Sequence, residues 1–168
     1  MSNLEKVTGT DLTPKKSALP AWLRAMRPKQ WVKNVLVLAA PVAAGRLFEP
    51  AILWASLWAF LSFSLVSASI YLINDSRDVE ADRLHPKKRY RPIAAGELSI
   101  TTAYILAAIT VAAALTIGFW VARDLGITLA VYWALQVVYS FFLKHQPIVD
   151  LAMVAAGFLL RAVAGGVA

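Results

Sequence analysis

An all-α, polytopic membrane bundle is the fold class this sequence predicts, and three observations carry that reading. The 168 residues are 59% hydrophobic with a mean hydropathy of +0.60, more apolar than the surface of a soluble domain of this length allows. The apolar residues fall in long runs rather than in alternation, which predicts lipid-facing helices. Charged residues concentrate in the connections between those runs, as membrane topology requires. The net charge of +7 is therefore read as loop charge, with no nucleic-acid surface implied. Cysteine is absent, which excludes a disulfide framework and a thiolate metal centre.

Residues 1–20, rich in Ser, Thr, Lys and Pro, read as a flexible cytoplasmic tail and lack the apolar stretch of a cleavable signal peptide. A short interfacial helix is expected over 21–29, with Trp22 and Met26 on its apolar side and Arg24, Arg27 and Lys29 toward headgroups. About five spans follow, at 31–48, 50–73, 103–122, 125–143 and 148–168, each near the ~20 residues that cross ~30 Å of hydrocarbon. Lys33, Asn34 and Pro41 mark the first span as the least regular. The membrane domain is thus expected over 21–168.

Lys and Arg counting sets the orientation. Seven precede or open the first span and six follow the second, whereas Arg46 and Arg123 stand alone in the turns after the first and third. The N-terminus and the 74–100 connection are therefore expected on the cytoplasmic side. That connection is much longer than the turns between the other spans, and long polar loops are where function concentrates.

The second span runs on into Asn74, Asp75, Asp78 and Asp82. On a continuing helix Asp75 and Asp78 lie about 60° apart and Asp82 returns to within about 20° of Asp75. Three carboxylates on one stripe repel one another, the more so at the negative end of a helix dipole. A divalent cation removes the conflict. Mg²⁺ takes hard oxygen ligands from one or two carboxylates and completes its shell with water and substrate phosphate. The pattern thus predicts a Mg²⁺ site on Asp75, Asp78 and Asp82 that holds a diphosphate leaving group, with Asn74 bonding a carboxylate, a metal-bound water or a phosphate. A solvated acidic helix end is the blander reading, and Glu80, on the opposite side, is assigned to it.

A basic run follows: Arg83, His85, Lys87, Lys88, Arg89 and Arg91. Such a run fixes topology, yet beside a carboxylate stripe its cations also suit phosphate esters. Pro92 and Gly96 let the loop fold back over the helix ends. His85, ahead of Pro86 and with no second His at ligand spacing, is read as a loop hydrogen-bonding group. Inside the spans, Lys33 is expected to snorkel to headgroups or meet a phosphate, and Asn34 to bond a neighbouring helix. Tyr139 and Lys144 close the fourth span and Asp150 opens the fifth. Arg161, about 20 Å along the last helix from Ile148, must face the bundle interior, a cavity or a partner.

Taken together, Asn74-Asp75-x-x-Asp78-x-x-x-Asp82, the basic stretch ending in Arg91-Pro92, and Tyr139 with Lys144 resemble the UbiA superfamily of intramembrane prenyltransferases. Lys87 stands where many members have Arg. The stretch Arg27-Pro28-Lys29-Gln30-Trp31-Val32-Lys33-Asn34, the run from Asp78 to Ala94, Lys144-His145-Gln146 and the Leu160 to Gly166 stretch are similar to the branch that transfers phosphoribose to a decaprenyl phosphate. The resemblance implies a fold of about nine helices, of which this chain is similar to the N-terminal half. It also implies a second acidic motif, supplied by a C-terminal half or by a partner such as a second copy.

For the reaction, the resemblance implies phosphoribosyl diphosphate as donor, decaprenyl (polyprenyl) phosphate as acceptor and the lipid bilayer as its setting, toward arabinan precursors of the cell wall. Asp78, Asp82, Asp75 and Asn74 are the expected catalytic group. Lys87, Arg89 and Arg91 are expected on substrate phosphate, with Lys33, Asn34, Tyr139 and Lys144 as further phosphate contacts. The residues themselves report a diphosphate leaving group and not the cation it leaves, so an aromatic polyprenyltransferase stays open. A noncatalytic membrane subunit is the alternative from another class. A CDP-alcohol phosphotransferase is disfavoured, since its Asp-Gly and Ala-Arg signature is absent.

Overall fold

The computed structural model describes residues 18–143 and 147–168. The expected tail at 1–20 lies largely outside that range, as does Lys144. The chain begins with α1 (Ala21–Ala25), a 3₁₀ helix (Pro28–Leu38) and α2 (Ala39–Ala43). It continues with α3 (Pro50–Arg77), α4 (Val79–Leu84) and a 3₁₀ turn (Lys88–Tyr90). The last part comprises α5 (Ile100–Val121), α6 (Arg123–Val138), a π-helical turn (Tyr139–Leu143) and α7 (Pro147–Val167).

Among the described residues four helical stretches are long and apolar enough to cross a membrane: Pro50–Arg77, Ile100–Val121, Arg123–Leu143 and Ile148–Val167. The first expected span is built differently, as 11 residues of 3₁₀ helix followed by 5 of α-helix. At ~2.0 Å and ~1.5 Å per residue these still rise about 30 Å. They run antiparallel to α3, because Arg27 meets Asp75 and Asn34 meets Ser64. From Arg27 to Asn34 the 3₁₀ helix rises about 14 Å, and α3 rises about 16 Å between Ser64 and Asp75, so the two stay in register.

Helix α3 is the centre of the bundle and packs against the 3₁₀ helix, α5, α6 and α7. It starts with Pro50 in its first turn after an extended Glu49, where proline costs no hydrogen bond. Its buried face is rich in serine, including Ser56, Ser62, Ser64, Ser67 and Ser69. Small residues let helices approach closely in lipid. The hydroxyls of Ser62 and Ser64 bond back to the carbonyls of Trp58 and Phe60 at 2.8 Å, and Trp133 of α6 donates to Ser69 at 3.1 Å. Around them Phe63, Val66, Leu125, Leu129 and Tyr132 form one apolar core, and Leu72, Ile73, Val79, Ile93 and Leu98 form another beneath the loop end.

One glycine contact fixes α7. A Cβ on Gly165 would stand 1.7 Å from the carbonyl oxygen of Val37, so only glycine lets α7 lie against the 3₁₀ helix. Away from that contact, α7 exposes Ile148, Leu151, Val154 and Leu159, as a lipid-facing surface does.

In the expected interfacial helix Met26 is buried and Trp22 exposed. Of the cations expected at headgroups, Lys29 is exposed, Arg24 pairs with the exposed Glu97, and Arg27 turns to the buried Asp75.

Candidate functional site

The acidic end of α3 is where the elements converge. At 28 residues α3 is about 42 Å long, well beyond ~30 Å of hydrocarbon, and its polar residues Asn74, Asp75, Ser76 and Arg77 form its last turn. The helix does not continue straight through the motif. Asp78 adopts φ −89°, ψ 8° and separates α3 from α4. The ladder bends without being lost: Asp78 N–H donates to the Asn74 carbonyl at 3.0 Å and Asp82 N–H to the Asp78 carbonyl at 2.7 Å. Helix α4 then stops at His85, held extended ahead of Pro86.

This path brings Asp75 and Asp82 together and leaves both buried, at 4% and 2% exposure. Arg91 joins them, its Nη1 donating to Asp75 Oδ1 at 3.1 Å and to Asp82 Oδ2 at 2.6 Å. Arg27 adds Nη2 contacts to both oxygens of Asp75, at 2.5 and 2.7 Å, and its guanidinium lies 4.8 Å from the centre of the Tyr71 ring. Lys88 Nζ stands 4.0 Å from Asp82 Oδ1. Three cations from two segments, Arg27 from the start of the first span and Lys88 and Arg91 from the loop, thus surround two carboxylates.

Local backbone places each cation. Arg27 sits in the left-handed region at φ 54°, ψ 58°, the only non-glycine residue with positive φ among those described. Such a conformation costs on the order of 1 kcal/mol or more, and the paired contact to Asp75 compensates it. Arg91 is delivered by the loop, which does fold back as Pro92 and Gly96 imply. Gly96 takes φ 76°, Glu97 N–H returns to the Pro92 carbonyl at 2.8 Å, and Ile93 is 2% exposed. His85 serves the loop as expected, its Nδ1 accepting the N–H groups of Lys87 and Lys88 at 3.1 and 3.2 Å.

The remaining expected site residues are dispersed. Among the described residues no group of three His, Cys, Asp or Glu side chains converges as a metal centre. Of the three carboxylates, Asp75 and Asp82 meet at Arg91, and Asp78 stands at the bend between α3 and α4. Asn74 accepts from the Ser140 hydroxyl of the π-helical turn and touches neither carboxylate. Lys87 is exposed, and Arg89 lies on Tyr90, both away from the carboxylate pair. Tyr139 donates to Asp150 at 2.6 Å. Asn34, at 1% exposure, is no open phosphate contact, since its amide donates to Ser64 and its carbonyl accepts from Arg161.

Below Asn74 a cavity of about 200 Å³ opens into the bundle. Lys33, Tyr71, Asn74, Tyr132, Asp150 and Arg161 are among its lining residues. Two residues here escaped the sequence reading. Arg27 was read as a headgroup-facing cation, and Tyr132 was an unremarkable aromatic in an apolar run.

Fold and site together define an integral membrane protein of the helical-bundle class, with a buried carboxylate pair clamped by arginines at one end. The chain belongs to the UbiA prenyltransferase family, whose sequence pattern it matches over residues 35–168.

Curated relatives include the decaprenyl-phosphate phosphoribosyltransferases of Mycolicibacterium smegmatis, 51% identical over 92% of this chain and 50% of that protein, and of Corynebacterium glutamicum, 50% identical over 92% and 48%. The same-named protein of Mycobacterium tuberculosis is 47% identical over 87% of this chain and 50% of its own length. The chain therefore spans about half the length of these relatives. A solved structure, from work on the biosynthesis of digeranylgeranylglyceryl phosphate synthase in membranes, superposes with a TM-score of 0.68 at 24% identity. It covers 86% of this chain and 52% of that one, a likeness of fold.

Proposed function

We propose that this chain contributes a diphosphate-gripping site to a membrane transferase that moves 5-phosphoribose from phosphoribosyl diphosphate to decaprenyl (polyprenyl) phosphate. The observation that carries the proposal is the single Arg91 nitrogen shared by the buried carboxylates of Asp75 and Asp82. Two hard-oxygen donors already converge there on one positive charge. Mg²⁺ needs only one or two carboxylates when substrate phosphates complete its shell, so the donor set fits that ion. Asp75 and Asp82 would hold it, with Asp78 at the bend between them. When bound, the ion neutralises charge on a diphosphate leaving group.

The other roles fall to the chain's own cations. Arg27 and Arg91 neutralise the carboxylates in this structure and are positioned to turn their remaining N–H donors to phosphate oxygens, for which a planar fork is suited. Lys88 stands beside them, and Lys87 and Arg89 extend the basic surface. Diphosphate leaves C1 of the ribose, an acceptor phosphate oxygen bonds to that carbon, and cations positioned on the departing group stabilise its charge. The product, a decaprenylphosphoryl phosphoribose, is of the class that feeds arabinan and arabinogalactan assembly. The clustering of Lys and Arg at this end of the bundle supports a cytoplasmic placement of the site.

The names of the relatives favour phosphoribose over a prenyl donor. Membranes carrying the chain within its full reading frame, given labelled phosphoribosyl diphosphate and polyprenyl phosphate, are expected to form labelled lipid. Label incorporated only from a prenyl diphosphate and an aromatic acceptor would overturn the assignment.

A further inference from the structure

Arg161 is a charged group inside the bundle that the acidic site does not use. It lies on α7 inside the bundle, and its partners are neutral. Nε donates to Asn34 Oδ1 at 2.8 Å and Nη2 to the Tyr132 hydroxyl at 2.8 Å, with the guanidinium 5.1 Å from the centre of the Tyr132 ring. Among the described residues it forms no ion pair.

These contacts orient the group without neutralising it. Asn34 is fixed by its bond to Ser64 at 3.2 Å, and Tyr132 packs 5.3 Å from Phe63 between ring centres. Gly157 leaves Nη1 its place, since a Cβ there would stand 3.0 Å from it. A guanidinium carries five N–H donors, and Asn34 and Tyr132 take two.

The charges around it are mostly positive. Arg161 and Lys33 line the cavity, and among the described residues the one carboxylate in its lining is Asp150, which accepts from Tyr139. Asp150 and Arg161 are separated by about 16 Å of helix rise, so the acid does not serve the arginine. On α3 the lining runs from Asn74 down to Ser67, about 10 Å. The cavity therefore leads from the acidic end of the bundle to Arg161. At about 200 Å³ it far exceeds the ~10–15 Å³ that one water needs.

We infer that Arg161, oriented by Asn34 and Tyr132 and assisted by Lys33, forms a second anion subsite that takes a phosphate monoester. It deepens the proposed transferase reading, and it rests on that reading for the ligand's identity. Both substrates carry such a group outside the diphosphate: the 5-phosphate of the ribose and the phosphate of the polyprenyl lipid. An uncompensated guanidinium in a low-dielectric cavity attracts such a group.

The test uses the full chain in lipid nanodiscs and three probes: ribose 5-phosphate, a short-chain prenyl phosphate, and inorganic diphosphate with Mg²⁺. Wild type is expected to bind at least one monoester. Arg161→Gln is expected to weaken that monoester by roughly ten-fold or more while diphosphate affinity stays unchanged, and the monoester that responds identifies the source. Arg161→Lys keeps the charge inside the bundle but loses the fork. It covers the case in which the Gln variant does not fold, and a several-fold loss is expected. No monoester binding by wild type, or unchanged monoester affinity in the folded Arg161 variants, overturns the subsite. Failure of Mg²⁺–diphosphate binding in wild type instead contradicts the acidic site and leaves the monoester result readable.

Discussion

Arg91 and Asp82 form the innermost link of the site: the guanidinium Nη1 lies 2.6 Å from a carboxylate oxygen that is almost wholly buried. The same nitrogen also reaches Asp75. A charge held in this way makes two neighbouring carboxylates tolerable, and a divalent cation can take over the task.

Removing Arg91 therefore has a metal-dependent cost. Arg91→Ala is expected to destabilise the protein by roughly 2–3 kcal/mol in chelator, somewhat below the ~3–5 kcal/mol of a fully buried pair because Arg91 is partly exposed. Millimolar Mg²⁺ should recover more stability in the variant than in wild type, since binding to the folded state adds stability by linkage. Denaturant unfolding in detergent, with and without Mg²⁺, measures both quantities. An equal Mg²⁺ effect in the two proteins would argue against a shared role.

Arg27 separates backbone strain from charge. Ala and Gly at this position both lose the Asp75 contacts, but only glycine adopts φ 54° freely. Arg27→Gly is accordingly expected to be about 1 kcal/mol more stable than Arg27→Ala in thermal or denaturant unfolding. The reverse order would show that the left-handed turn does not persist without the ion pair.

Gly165 tests the placement of α7. With the Val37 carbonyl 1.7 Å from a would-be Cβ, Gly165→Ala must push the helix away from the 3₁₀ segment, and a loss of about 1–3 kcal/mol is expected from overpacking. Because Asn34 and Arg161 meet across the same interface, fluorescence or cross-linking between the two segments should report the displacement. Wild-type stability in this variant would contradict the packing.

Much of this fold was legible in the order of residues. Apolar length alone marks the helices that became α3, α5, α6 and α7, because a bilayer sets a minimum length that few soluble elements imitate. The pairing of Asp75 with Asp82 follows from a seven-residue spacing, nearly two helical turns. The bend at Asp78 was hidden, since no Gly or Pro stands in Asp78-Val79-Glu80 to announce it. The 3₁₀ form of the first segment left only Pro28 and Pro41 as traces. Arg27 was misread because topology accounts for any cation near a membrane face, and nothing local distinguishes one that turns inward. The neutral partners of Arg161 lie 127 and 29 residues away in the chain, and only the fold brings them together.

Asp82→Asn and Asp75→Asn, each in the full reading frame, are expected to lower transfer by on the order of 10²–10³-fold or more while the protein still inserts. Asp78→Asn, at the bend, supplies the comparison that ranks the three. Product formation per inserted protein, from labelled donor, is the measurement. Near-normal turnover in the Asp82 variant would remove that carboxylate from the chemistry.

The central claim concerns two buried carboxylates that hold a divalent cation together with a diphosphate. Mn²⁺ favours the same oxygen ligands as Mg²⁺ and is visible by electron paramagnetic resonance. The full chain in nanodiscs is predicted to bind Mn²⁺ tightly when inorganic diphosphate is present, with Mg²⁺ competing, and to lose that binding in the Asp75→Asn, Asp82→Asn double variant. Mn²⁺ and diphosphate binding that is equal in wild type and double variant would contradict the account.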